Sequence, residues 1–206
     1  MPSSSNWKGI WALAAVAVAL MAVAGWQVAG LVRSSRNLGD LRLSLDEAKS
    51  GVEELEYKLR LLDEEIAKMG FVRVDLYFAK VTETAMKVVP LKKVVEKGDN
   101  LPLNAINALL QGPQGDGDLY APIPEGVKVL SVTTEGGTAY ADFSEEIMYA
   151  GFGSEGELAM VSCIVNTLVS LPGIEKAQIM VEGEKVESLG GHVFVGSPLS
   201  MMSDLL

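Results

Sequence analysis

The side chains best able to do chemistry are few and scattered. His192, in Gly190-Gly191-His192, is the single histidine and the one group whose ordinary pKa lies near neutrality. Hydrolysis would need a nucleophile beside it, yet Ser188, Ser197 and Ser200 stand in no elbow-type motif, so a histidine of a turn or a satisfied core position is the expectation. Cys163 lies in an apolar stretch and reads as an inert small hydrophobe. One Cys and one His exclude a disulfide framework, and equally a zinc site built from those residue types. Gly115-Asp116-Gly117-Asp118 alternates carboxylates as a calcium loop does, but the distal bidentate Glu is missing and a plain turn is expected. Gly151-Phe152-Gly153-Ser154-Glu155-Gly156 resembles a phosphate loop only in its glycines. No Lys-Ser/Thr follows, and Glu155 and Glu157 would repel an anion. No catalytic, cofactor-binding or metal-ligating residue is expected, and no enzyme.

The elements behind these residues divide by solvent. The chain has 206 residues, 49% of them hydrophobic, with 17 basic against 27 acidic side chains. A net charge of -10 thus coexists with a mean hydropathy of +0.25. Both hold because apolar and charged residues are segregated: the net charge is +3 over 1–36, -4 over 37–70 and -9 over 71–206. With no basic cluster to neutralise phosphates, nucleic acid is excluded as a partner.

After a short tail, 1–8, the residues from Gly9 to Val32 carry no charge. At about 1.5 Å per residue this run is long enough to cross a bilayer, and Trp7, Trp11 and Trp26 flank it where indoles favour the interface. A single-pass anchor over 9–32 is expected. The rival is a cleaved signal peptide ending near Ala22-Val23-Ala24, against which the apolar run is too long. Flanking charge, with Arg33, Arg36, Arg42 and Lys49 on the C-terminal side, leans weakly toward a cytoplasmic C-terminus.

Over 37–70 apolar residues recur at alternating intervals of three and four. Leu38, Leu45, Val52, Leu59 and Ile66 take heptad position a, and Leu41, Ala48, Leu55, Leu62 and Met69 take d, which predicts a helical stalk that pairs with another helix. Such a helix would be about 48 Å long. In a parallel pair Lys58 would meet Asp63 of the other chain, while Gly39 and Gly51 weaken the helix by about 1 kcal/mol each. The alternative is one amphipathic helix folded back on the C-terminal domain.

In 71–206 the period changes. Val72, Val74, Leu76 and Phe78 alternate with polar residues as a half-buried strand does, and Met86 to Val95 is a second strand in which Pro90 demands an edge or a bulge. Asn100 and Pro102 open a helix closed by Gly112-Pro113. Val127 to Thr134 and Thr138 to Phe143 form a hairpin about Gly136-Gly137. Ser154 and Glu157, at capping-box spacing, open a longer helix ended by Pro172-Gly173, and Ala177, Ile179 and Val181 make a last strand. The order strand, strand, helix, strand, strand, helix, strand predicts an α+β domain of two layers, sheet and helices.

Pro122-Ile123-Pro124-Glu125-Gly126-Val127 leading to Leu130-Ser131-Val132, then Ala139 to Ser144 with Asp142, then Ser154 with Glu157, then Leu171-Pro172-Gly173-Ile174, then Val181-Glu182-Gly183 and Gly190-Gly191-His192, together resemble the GerM domain over about 71–199. The resemblance implies a non-enzymatic domain outside the cytoplasm, in the bacterial cell envelope. It implies an association with sporulation and germination, a fold similar to ring-building motifs of secretion-like assemblies, and action by association with other envelope proteins, while self-association is expected through the coiled coil. It also overrides the weak charge lean and places the C-terminal domain outside the cytoplasm on a single-pass anchor. The sequence departs from the lipoprotein form of the family in lacking an N-terminal acylation cysteine and in inserting the heptad stalk. A binding module for an envelope ligand such as a peptidoglycan fragment is the alternative, with Tyr120, Tyr140, Tyr149 and Phe152 as contributors.

Overall fold

The computed structural model describes residues 21–22, 25–27, 38–82, 85–115, 117–149, 151 and 153–203. The expected anchor over 9–32 lies outside these residues except at 21–22 and 25–27. Among the described residues no helix is long and apolar enough to cross a membrane. The chain divides into two units, Met1–Gly70 and Phe71–Leu206.

In the first unit one helix, α1, runs from Leu38 to Lys68. Straight-chain residues dominate its sequence, and Lys68 in the last turn complements the negative helix end. Gly70 stops it at φ +85°, a left-handed conformation that glycine alone adopts without strain.

The second unit begins with β1 (Phe71–Val81) and β2 (Met86–Glu96), paired antiparallel without a slip from Phe71 opposite Glu96 to Val81 opposite Met86. Pro90 sits opposite Tyr77 with no bulge, tolerated because β2 is an edge strand. Helix α2 (Leu101–Leu110) follows, capped by Asn100, whose side chain accepts from the Leu103 N–H at 3.1 Å and donates to the Val132 carbonyl at 2.8 Å. Then come β3 (Leu119–Tyr120), β4 (Val129–Glu135), β5 (Thr138–Phe143) and a 3-10 turn at Glu145–Tyr149. Helix α3 (Ser154–Val169) leads to β6 (Lys176–Val181) and β7 (Glu184–Lys185). The β4–β5 hairpin turns at Gly136 and Gly137, both at positive φ, as a two-residue turn of primed type requires.

The strands make two sheets, β2-β1-β3 and β4-β5-β6-β7, where one sheet layer was expected. Two-residue β3 and β7 carry no alternation from which a strand could be read; β3 simply meets Ala79 and Lys80 of β1. One core spans both sheets and the two helices, with Leu76, Phe78, Phe143, Ile164, Leu168 and Ile179 at its centre. The expected half-buried β1 is in fact buried on both faces over 76–79, because Tyr77 and Ala79 pack with Val88, Ala159 and Cys163 in a smaller cluster.

Candidate functional site

Helix α3 is where the buried polar chemistry collects. It packs against β1, β2, β6 and α2, so it is covered nearly all round, and Glu157, Ser162, Asn166 and Thr167 are buried with its apolar residues. Each of these four side chains has a partner. Glu157 Oε1 accepts from the Leu189 and Gly190 N–H groups at 3.0 and 2.8 Å, and Oε2 accepts from the His192 N–H at 2.8 Å. Asn166 makes a two-way pair with Met202, accepting its N–H at 2.7 Å and donating to its carbonyl at 2.9 Å. Ser162 donates to the Met202 sulfur at 3.7 Å. Thr167 accepts from the Tyr77 N–H at 2.9 Å, and Ser170, just past the helix, donates to the Asp75 carbonyl at 3.0 Å. These last two bonds satisfy the side of β1 that short β3 leaves open.

The capping box is therefore overturned. The N-cap of α3 is Gly153, which has no side-chain cap bond, and Ser154 is the first helical residue. Glu157 turns instead to backbone N–H groups more than thirty residues on. Its burial works against the charge, but the N–H bonds outweigh it and hold the carboxyl below its ordinary range. A Cβ on Gly190 would lie 3.0 Å from Glu157 Oε2 and would press on the bonded carboxylate. Gly191, at φ +91°, completes the turn, and its N–H donates to Ser188 Oγ at 2.9 Å.

His192 thus enters this arrangement through its backbone, and its side chain is exposed. Asp142 Oδ1 accepts the Gly183 N–H at 2.8 Å and so fixes the tight β6–β7 turn, where Glu182 and Gly183 both have positive φ. Pro172 and Gly173 follow α3 just past its C-cap, Ser170, with Gly173 at φ +80°. Cys163 is buried in the smaller cluster, and burial pushes its thiol far up. Asp118 pairs with Lys80 at 3.4 Å, while Asp116 and Phe152 lie outside the described residues. Among the described residues no three His, Cys, Asp or Glu side chains are grouped so as to hold a metal ion.

Pro124 and Gly126 belong to a different place, with Pro122 beside them. Together with the end of α2 at Leu110–Pro113 and the segment from Leu119 to Ala121, the stretch from Ile123 to Val127 lines an open concavity of about 390 Å³. Of the four aromatic residues considered for ligand binding, Tyr120 borders it. Tyr140 lies on β5 in the other sheet and Tyr149 on the 3-10 turn, so these aromatics do not converge. The expected motif residues are thus spread over a loop anchor, two turns and a concavity.

The seam of α1 is the remaining candidate. Leu41, Leu45 and Val52 are 44, 53 and 46% exposed, and Met69 is exposed too. Ala48, Leu55, Leu59 and Leu62 are half-buried, Ile66 is buried, and the Leu38 side chain lies outside the described residues. Leu43, Tyr57 and Leu61 are exposed away from the seam, so it is spacing rather than exposure that marks the stripe. Lys58, expected opposite Asp63 of another chain, pairs with Glu54 one turn back in its own helix, a bond that lowers the Glu54 pKa.

Comparison with known proteins agrees with this geometry. No curated protein matches the chain. Among solved structures, the chain is similar to the tandem GerMN domains of the sporulation protein GerM from Bacillus subtilis, with 23% identity and a TM-score of 0.54 over 65% of this chain. It spans 47% of that protein, about half its length. A candidate lipoprotein from Clostridium perfringens matches with 28% identity and a TM-score of 0.47, over 64% of this chain and 89% of that one. The first GerMN domain of the same B. subtilis protein matches with 24% identity and a TM-score of 0.45, over 63% and 95% of the two chains. The α+β fold is that of GerMN domains. A family model described as "Germane: Sporulation and spore germination" matches residues 75–187, more than half of the chain, which therefore belongs to the Germane family.

Proposed function

We propose that this protein is a non-enzymatic, membrane-anchored scaffold that presents its Germane domain outside the cytoplasm for assembly with copies of itself and with other envelope proteins. The carrying observation is the α1 seam: ten apolar positions in heptad register, of which Leu41, Leu45 and Val52 remain open to solvent in the single chain. Covering them removes apolar area from water at about 25 cal/mol per Å², and another heptad helix fits that stripe. The uncharged run over 9–32 supports the anchor, and the family supports a role near sporulation or germination.

The test is the mass of the full chain in a mild detergent. An oligomer is expected, and Leu45→Asp with Val52→Asp is expected to return it to monomer with the domain still folded. A native chain that is monomeric at high micromolar concentration removes the scaffold reading. A C-terminal topology reporter active only in the cytoplasm would remove its location.

The concavity favours a second reading, a domain that holds an envelope ligand such as a peptidoglycan fragment against Tyr120 and the Ile123–Val127 stretch. Calorimetric titration with muropeptides distinguishes it: heat of binding that Tyr120→Ala abolishes would promote it over the scaffold.

A further inference from the structure

The charges beside the seam carry directional information that its apolar residues do not. The e positions of α1 run Arg42, Lys49, Glu56, Asp63, positive in the first half and negative in the second. The g positions run Ser44, Gly51, Lys58, Glu65. In a parallel pair g faces e of the next heptad, so Lys49 meets Ser44, Glu56 meets Gly51, and only Lys58 finds an opposite charge in Asp63. Even that bond competes with the Lys58–Glu54 pair already formed within the helix.

In an antiparallel pair e faces e. With all ten seam residues overlapped, Leu45 lies against Leu62 of the second copy, Ala48 against Leu59 and Val52 against Leu55. That same alignment sets Arg42 against Asp63 and Lys49 against Glu56, and two-fold symmetry repeats both pairs. Sliding by one heptad either way keeps only two of these four opposite-charge contacts, Arg42 with Glu56 or Lys49 with Asp63, and adds a repulsive Lys49–Lys49 or Glu56–Glu56 contact. Small Ala48 meets a leucine rather than another alanine, and the helix dipoles oppose. Lys58 falls opposite Gly51 and keeps its Glu54 partner. Ile66 is already buried in the single chain, so the inner layers from Leu45 to Leu62 carry most of the gain.

We infer that α1 pairs with α1 of a second copy antiparallel and in this full-overlap register, making a two-helix rod that carries one anchor segment and one Germane domain at each end. This rests on the scaffold reading above and changes what the scaffold is: a spacer about 46 Å long between two anchor points.

The experiment uses the full chain in mild detergent on a Cys163→Ser background. Leu45→Cys and Leu62→Cys chains are expected to form a disulfide-linked dimer when mixed under oxidation, and neither is expected to link alone. At low salt Lys49→Glu is expected to weaken association about tenfold, and adding Glu56→Lys to the same chain to restore it. Self-linking of Leu45→Cys, or a Lys49→Glu chain that associates as tightly as the native one, overturns the antiparallel register while leaving the scaffold. A dimer that links in no combination overturns the seam as its interface, and a monomeric native chain overturns both readings.

Discussion

Helices α1 and α3 draw on similar residues and meet opposite fates. In α1, 31 residues long, ten apolar side chains follow a heptad stripe, charges crowd most other positions, and Leu41, Leu45 and Val52 of the stripe stay exposed. In α3, 16 residues long, the apolar residues encircle the axis, and the few polar ones between them are buried and bonded. The stripe of the first helix is partly open to solvent; the second helix has its partners in the same chain. The lesson concerns polar residues. On α1 most are exposed, as in the Lys58–Glu54 pair, whereas on α3 three of them hold distant parts of the chain: Glu157 the 189–192 loop, Asn166 the segment at Met202, Thr167 the open side of β1.

The strongest way to break this contrast is Glu157→Ala. It leaves three backbone N–H groups without their acceptor, that of Leu189 buried and those of Gly190 and His192 part-buried, and a loss of about 2–3 kcal/mol in urea unfolding is expected. A loss under about 0.5 kcal/mol, typical of an exposed site, would mean the loop holds itself. Next is Asn166→Ala, which frees both groups of Met202 and is expected to cost about 2 kcal/mol and to expose the C-terminal segment to proteolysis.

Acid should separate the helices too. Because the Glu157 carboxyl titrates below its ordinary value when folded, the unfolded chain binds its proton first, and stability falls as pH drops from the unfolded value through the lowered folded one. The melting temperature of the native domain is expected to fall more steeply below about pH 4.5 than that of Glu157→Gln, whose curve loses this component. Parallel curves would mean that other carboxylates govern acid unfolding.

The smallest effect sharpens the comparison by sign. Gly190→Ala forces a Cβ against Glu157 and is expected to destabilise by about 1 kcal/mol, whereas Gly51→Ala on α1 meets nothing within 4 Å and is expected to strengthen that helix by up to about 1 kcal/mol, read by circular dichroism. Equal signs would erase the distinction between a packed glycine and a merely tolerated one.

Much of the fold was legible because it is written in local periods. The β1 strand, the Asn100 cap and the paired glycines at 136–137 each rest on signals within a few residues, and the structure has all three, although alternation in β1 gives way to burial on both faces over 76–79. What was not legible is what joins distant residues. Ser154 and Glu157 have capping-box spacing, yet the carboxylate serves a loop that the sequence could not show lying beside it. β3 and β7 are too short for any period, and the division into two sheets depends on which strand edges meet.

By itself, then, the sequence determined the separation into an apolar run, a heptad helix and an α+β domain, and it marked the family by motifs, since composition and periodicity are local properties of a chain. The tertiary structure alone decided that those motifs serve different places, with Glu157, Gly190 and His192 building one loop anchor, Asp142 a hairpin and Pro124 the wall of a concavity. The reason is that a buried polar group must find its hydrogen-bond partner wherever the packed chain brings one, and that place is set by the whole core.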